Sequence, residues 1–121
     1  MRIAFKVPEG LKADLDWLSV TMGLSRPEIV RRAVREALDY IRERGEPPRT
    51  SYVPHGDGSW RLHLFTVRVG DRLYRELERA AARLNVPMSE VVRTAVFWYV
   101  ERMERKYRPY RGRRVRVYLV T

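Results

Sequence analysis

Two short stretches of the chain alternate apolar and polar residues. In the first, Ile3, Phe5 and Val7 alternate with Arg2, Ala4 and Lys6; in the second, Phe65, Val67 and Val69 alternate with Leu64, Thr66 and Arg68. A period of two predicts a half-buried strand in each place, because successive side chains of a strand point to opposite faces. A turn follows at Pro8-Glu9-Gly10 and at Gly70-Asp71, where Pro8 and Asp71 both favour a helix start. The pattern then changes to the helical period. Leu11, Leu15, Leu18 and Met22 lie on one face, as do Leu73, Leu77, Ala80 and Leu84. Gly23 and Asn85 stand at equivalent places and tolerate the left-handed backbone that ends a helix.

A second helix is predicted in each half. Ser25-Arg26-Pro27-Glu28 reads as a capping box, with Ser25 accepting from the third helical amide and Glu28 reaching back. Its apolar stripe is Ile29, Val30, Ala33, Val34, Ala37, Leu38 and Ile41; the second half carries Val91, Val92, Ala95, Val96, Tyr99, Val100 and Met103. Pro87 stands where Ser25 stands, so Ser89 is expected to cap a slightly later start there.

These parallels share one offset. Moved by 62 residues, Arg2–Glu43 falls on Leu64–Arg105 without a gap, with Val7 on Val69, Leu11 on Leu73, Leu15 on Leu77, Glu28 on Glu90 and Arg31 on Arg93. Chance does not easily keep one offset through three differently patterned segments, so the chain is read as an internal repeat. The expected layout is a first strand–helix–helix unit at 1–44, a linker at 45–60, a second unit at 61–106 and a basic tail at 107–121. A lone strand leaves its backbone groups unpaired, which is costly when buried. Two units remove that cost by pairing their strands antiparallel over four interlocked helices. The linker holds Gly45, Pro47, Pro48, Pro54, Gly56 and Gly58, which break regular structure. Its roughly sixteen residues span up to ~50 Å, ample for the return. The expected fold class is mainly α with a short antiparallel β-ribbon, the two units forming one intertwined domain.

Composition narrows the function. Twenty-five Lys and Arg against 15 Asp and Glu give a net charge of +10, which points to nucleic acid or an acidic surface as partner. There is no Cys, and His55 and His63 carry no zinc-ligand pattern around them. No metal, cofactor or small-molecule ligand is called for. The start lacks the apolar stretch of a signal peptide and the longest wholly apolar run, Ala95–Val100, is far short of a membrane span; a cytoplasmic location with no membrane partner is expected. Gln is absent and Asn occurs once, a composition compatible with a heat-adapted source. No phosphate-binding Gly-Lys loop and no nucleophile–base–acid set occurs, and the carboxylates lie among arginines on helix surfaces, so no enzyme is expected.

Arg2-Ile3-Ala4-Phe5-Lys6-Val7-Pro8-Glu9, followed by Gly23-Leu24-Ser25-Arg26-Pro27-Glu28-Ile29-Val30-Arg31-Arg32-Ala33, resembles the ribbon-helix-helix superfamily of DNA-binding repressors. Thr66-Val67-Arg68-Val69-Gly70-Asp71 and Val86-Pro87-Met88-Ser89-Glu90-Val91-Val92-Arg93-Thr94-Ala95 resemble it a second time, so that about 84 residues are covered. The resemblance implies a tandem pseudo-dimer that binds double-stranded DNA, lays its two-stranded ribbon in the major groove and acts as a transcriptional repressor at the nucleoid. By strand parity the base-reading side chains are Arg2, Ala4, Lys6, Leu64, Thr66 and Arg68. Arg and Lys donate to guanine, while Thr and Ala touch the thymine methyl. Ser25, Arg26 and Pro27, with Met88 and Ser89, would lie near the DNA backbone at the starts of the second helices, where free amides attract phosphate. Leu64 fits poorly and reads three ways: a thymine contact, a degenerate half, or burial under another segment. The chemically unequal halves predict a non-palindromic binding site.

Two features lie outside the repeat. Arg105 to Arg116 holds seven basic residues and no acid; Arg111, Arg113, Arg114 and Arg116 are read as a nucleic-acid arm. Val115, Val117 and Leu119 alternate with Arg116 and Tyr118, so a short C-terminal strand is also expected, pairing within the fold near Trp60–His63. Both readings stand. Phe97-Trp98 replaces Arg35-Glu36 of the first half and is read either as packing against the tail or linker, or as a surface for self-association. Two functions compete with specific DNA binding: an antitoxin-like protein-interaction module, and non-specific coating of nucleic acid.

Overall fold

The computed structural model describes residues 1–50 and 61–120, with side chains described as far as residue 107. The elements are β1 (Arg2–Pro8), α1 (Glu9–Met22), α2 (Arg26–Arg44), β2 (Leu62–Arg68), α3 (Asp71–Leu84) and α4 (Met88–Val120). The bounds of α3 are those of α1 moved by 62 residues, and α4 starts 62 residues after α2. The fold is mainly helical, with β1 and β2 forming a two-stranded antiparallel ribbon.

The register gives the ribbon a pseudo-twofold centre. Ala4 pairs with its own repeat counterpart Thr66, Arg2 pairs with Arg68, and Lys6 pairs with Leu64. The ladder gains one more bond where the Val69 amide donates to the Met1 carbonyl at 3.0 Å. Inward-facing Ile3, Phe5, Val7 and Val67 are buried, and the Phe5 and Phe65 rings meet edge to face, 5.9 Å between centroids. Beneath them Leu11, Leu15 and Leu18 of α1, Ile29, Val30, Ala33 and Val34 of α2, Leu77 of α3 and Val92, Ala95, Val96 and Val100 of α4 make one continuous core. The helical periods mark these faces in the sequence, and the apolar area removed from water drives their assembly at about 25 cal/mol per Å2.

Local chemistry sets the helix ends. Gly23 and Asn85 both take left-handed backbone, with φ of 68° and 56°, and end α1 and α3. Ser25 caps α2, its Oγ accepting from the Glu28 amide at 3.2 Å. The return half of the expected capping box is not formed; the Glu28 carboxylate instead accepts from Arg31 Nε at 3.1 Å. In the second unit α4 begins at Met88, with the Pro87 carbonyl accepting from the amides of Glu90 and Val91, so Ser89 sits inside the first turn and not at a delayed cap. Proline holds the extended backbone needed before a helix without supplying a side-chain acceptor. Removing the only side-chain cap of the pair, by Ser25→Ala, is expected to cost about 1 kcal/mol in urea unfolding, with the slope of the transition unchanged.

The C-terminal strand expected at Val115–Leu119 is corrected: α4 continues through that stretch to Val120. Five alternating residues are a weak signal. A helix extends by adding one backbone bond per residue fixed, whereas a strand needs a partner edge; among the described residues β1 and β2 pair only with each other. The side chains of Arg111, Arg113, Arg114 and Arg116 lie outside the described residues, as do linker residues 51–60. Trp98 packs within the chain: its ring meets Tyr40 of α2 at 5.2 Å, and the Arg102 guanidinium lies 4.0 Å over it while bonding Glu36 at 3.0 Å. Trp98 is thereby engaged by α2.

Candidate nucleic-acid interface

The six side chains that parity assigns to the outer face of the ribbon, Arg2, Ala4, Lys6, Leu64, Thr66 and Arg68, are all exposed. They form three cross-strand pairs, Arg2–Arg68, Ala4–Thr66 and Lys6–Leu64. One end of the ribbon therefore carries two facing arginines, and the other carries a lysine beside exposed Leu64 and Leu62, which are 64% and 57% accessible. Among the described residues no carboxylate pairs with Arg2, Lys6 or Arg68. Like charges directly opposite on a ribbon are destabilising, so the Arg2–Arg68 pair works against the free fold.

Two arginines that parity and composition do not single out hold the ribbon to the helices. Arg31 of α2 donates to the Arg68 carbonyl at 2.9 Å, and Arg93 of α4 donates to the Lys6 carbonyl at 2.9 Å. Arg31 is aligned by Glu28, and Arg93 by Glu90, one turn earlier on its own helix. Arg31 and Arg93 are repeat counterparts, as are Lys6 and Arg68, so the same clamp is made twice about the pseudo-twofold centre. Thus α2 grips β2 and α4 grips β1, each at a residue that points outward. The sequence signal was present: Glu28/Glu90 and Arg31/Arg93 are identities at the repeat offset.

The helix starts are less alike. Ser25, Arg26 and Pro27 are exposed, whereas Met88 and Ser89 are half-buried. Pro27 has no N–H and the Glu28 amide is taken by Ser25, which leaves the backbone and guanidinium of Arg26 as donors there. That guanidinium lies 5.4 Å over the Phe65 ring and bonds Asp16 at 3.0 Å. A hollow beside β2 joins Arg26 and Pro27 to Lys12, Leu64 and Thr66, so Lys12, unmarked by sequence reading, adds a cation at this edge. Its counterpart in the second unit is Tyr74, and that of Arg26 is Met88. The first helix start is thus the more basic.

Glu28 also gives the clamp a pH dependence. The hydrogen bond from Arg31, with charge from Arg31, Arg35 and Arg32, outweighs desolvation and holds its carboxyl below the ordinary value of 4.5. A depressed carboxyl stabilises the fold above the unfolded value, and that stabilisation is lost as pH falls through the folded one. Urea midpoints taken from pH 7 down to pH 3 are expected to fall more for the native chain than for Glu28→Gln. Parallel declines would show that the pair adds nothing.

Among the described residues no group of three or more His, Cys, Asp or Glu could hold a metal ion, and no helix is long and apolar enough to cross a membrane.

Residues 1–40, which hold β1, α1 and most of α2, match the family model described as ribbon-helix-helix protein, copG family. This match supports the ribbon-helix-helix relationship for the first unit. No curated protein and no solved structure matches the chain.

Proposed function

We propose that the chain binds double-stranded DNA sequence-specifically, laying the β1–β2 ribbon in the major groove, and acts as a transcriptional repressor. The observation that carries this is the outer ribbon face: three cations and no acid, two of the cations facing each other at Arg2–Arg68 without a carboxylate partner. A charge arrangement that opposes folding points to an anionic ligand on that face. The major groove is about 12 Å wide and admits two strands about 4.8 Å apart. Arg2, Lys6 and Arg68 would donate to base edges, Ala4 and Thr66 would meet thymine methyls, and the Arg26 and Met88 helix starts would set the register on phosphates. The family match of residues 1–40 supports the same reading. The element order supports two units of one kind, at 1–44 and 61–106, acting as a single-chain dimer.

The two ends of the ribbon differ, so the bound site is non-palindromic: an arginine pair reads one end, and Lys6 with Leu64 the other. Selection of bound duplexes from a random pool, followed by salt titration of selected and random duplexes, tests this. A specific reader leaves a gap of about a thousandfold or more between the two. Near-equal affinities would favour coating, no binding to either would favour a protein-interaction role, and recovery of a clean inverted repeat would overturn the unequal halves.

A further inference from the structure

The two sides of the pseudo-dimer are chemically opposite. Between α2 and α3 runs an open groove made of two adjoining hollows of about 320 and 460 Å3 that share Arg42, Arg72 and Glu76. Arg35, Arg79 and Arg83 also line it, so five arginines face two acids, Asp39 and Glu76. The repeat supplies an internal control. At the counterpart positions between α4 and α1 the arginines are replaced by Phe97, Glu104, Gly10, Trp17 and Thr21, and the acids by Glu101 and Asp14. The same strand–helix–helix layout is therefore built with none of these five arginines, which are not required for packing. Glu28, Asp39 and Glu76 pair with Arg35, Arg42 and Arg72. Among the described residues Arg79 and Arg83 have no carboxylate partner. The side chain of Arg72 is 94% exposed, too far out for an enclosed ligand.

The groove is continuous with the arginine end of the ribbon. It begins at Gly70, two residues past Arg68, whose carbonyl is held by Arg31. Arg31, Arg35 and Arg42 then follow one face of α2, while Arg72, Arg79 and Arg83 follow one face of α3. From Arg72 to Arg83 the helix advances about 16 Å, at 1.5 Å per residue. A compact phosphorylated molecule would meet one or two of these arginines; a duplex strand, with a phosphate about every 3.4 Å along the axis, passes them all.

We propose that this groove binds the phosphate backbone of the DNA flanking the recognition site on the Arg2–Arg68 side only, drawing that flank along α2 and α3 while the opposite flank stays free. The inference rests on the ribbon reading above. Bending a duplex by 40–90° over 20–30 base pairs costs about 1–6 kcal/mol, and several arginine–phosphate contacts are available to offset it.

The test uses the full chain and three duplexes: the selected core site, and that site extended on one side or the other. Extension on one side is expected to raise affinity about tenfold or more and to bring the duplex ends closer in energy transfer, whereas extension on the other changes neither. Arg79→Gln/Arg83→Gln should bind the core duplex as the native chain does, lose the one-sided gain, and lower the salt slope on the long duplex by about 1.8, at about 0.9 per phosphate contact. Both residues are exposed, so an unchanged thermal melt confirms folding; Arg83→Gln alone serves if the double variant melts early. An equal gain on both sides, no gain on either, or a gain retained in the variant overturns the proposal. So does a second duplex recruited to the groove in place of the flank. If the native chain does not bind the core duplex, the ribbon reading fails first and takes this inference with it.

Discussion

Phe5→Ala is expected to cost the fold about 3–5 kcal/mol, the range for emptying a buried aromatic site. Phe5 is 2% exposed and stands directly across the ribbon from Phe65, with the two rings edge to face. The loss therefore combines burial, a cavity between the ribbon and the helices that only partial collapse can fill, and a ring pair worth about 0.5–1.5 kcal/mol. Net stabilities of small domains are about 5–15 kcal/mol, so this single change takes a large part of the total. Phe65→Ala should cost less, because Phe65 is only partly buried and the Arg26 guanidinium already lies over its face. Urea unfolding of both variants checks the order; a loss below about 1 kcal/mol for Phe5→Ala would mean that Phe5 is not in the core. Because both strands belong to one chain, the midpoint is expected to stay constant with protein concentration, unlike that of a dimer assembled from two chains.

Phe5 also shows why so much of the fold was legible. Alternation of Ile3, Phe5 and Val7 with Arg2, Ala4 and Lys6 assigns these residues of β1 to a face, and the structure places each on the side that parity gives. In β2 the same parity holds, but Phe65 and His63 are only half covered; both strands of the ribbon have an open edge, and the difference lies beneath them, where α4 packs on β1 more extensively than α2 packs on β2. The 62-residue offset placed the helices and implied the pairing, since two equivalent strands meet most simply across a twofold. What parity could not give was the register, which turns on the shared centre at Ala4–Thr66, and hence that Arg2 would face Arg68. The Arg31 and Arg93 clamps were hidden for a related reason. They are side chain to backbone contacts between segments 37 and 87 residues apart, and no local pattern records them beyond the repeated identity. The tail was misread because alternation over five residues does not specify a strand without an edge to pair with.

The facing arginines lead to the second large effect. Arg2→Ala/Arg68→Ala is expected to lower affinity for the selected duplex by about a hundredfold or more, since a good arginine–guanine pair is worth about 1–3 kcal/mol of discrimination. Affinity for random duplex should fall much less. The same substitution should leave the free protein unchanged or more stable by up to about 1 kcal/mol, because it removes a like-charge cross-strand pair. This opposition of signs is the discriminating result: a merely solvated face predicts no binding effect, and a structural role predicts lost stability. Lys6→Ala is expected to give a smaller loss, since Lys6 faces Leu64 and reads alone as a point charge without the planar fork of arginine. Its effect should map to the opposite end of the site. Equal losses on selected and random duplexes for both variants, with the salt slope reduced by about 0.9 for each cation removed, would place these side chains on phosphates and sink the base-reading assignment.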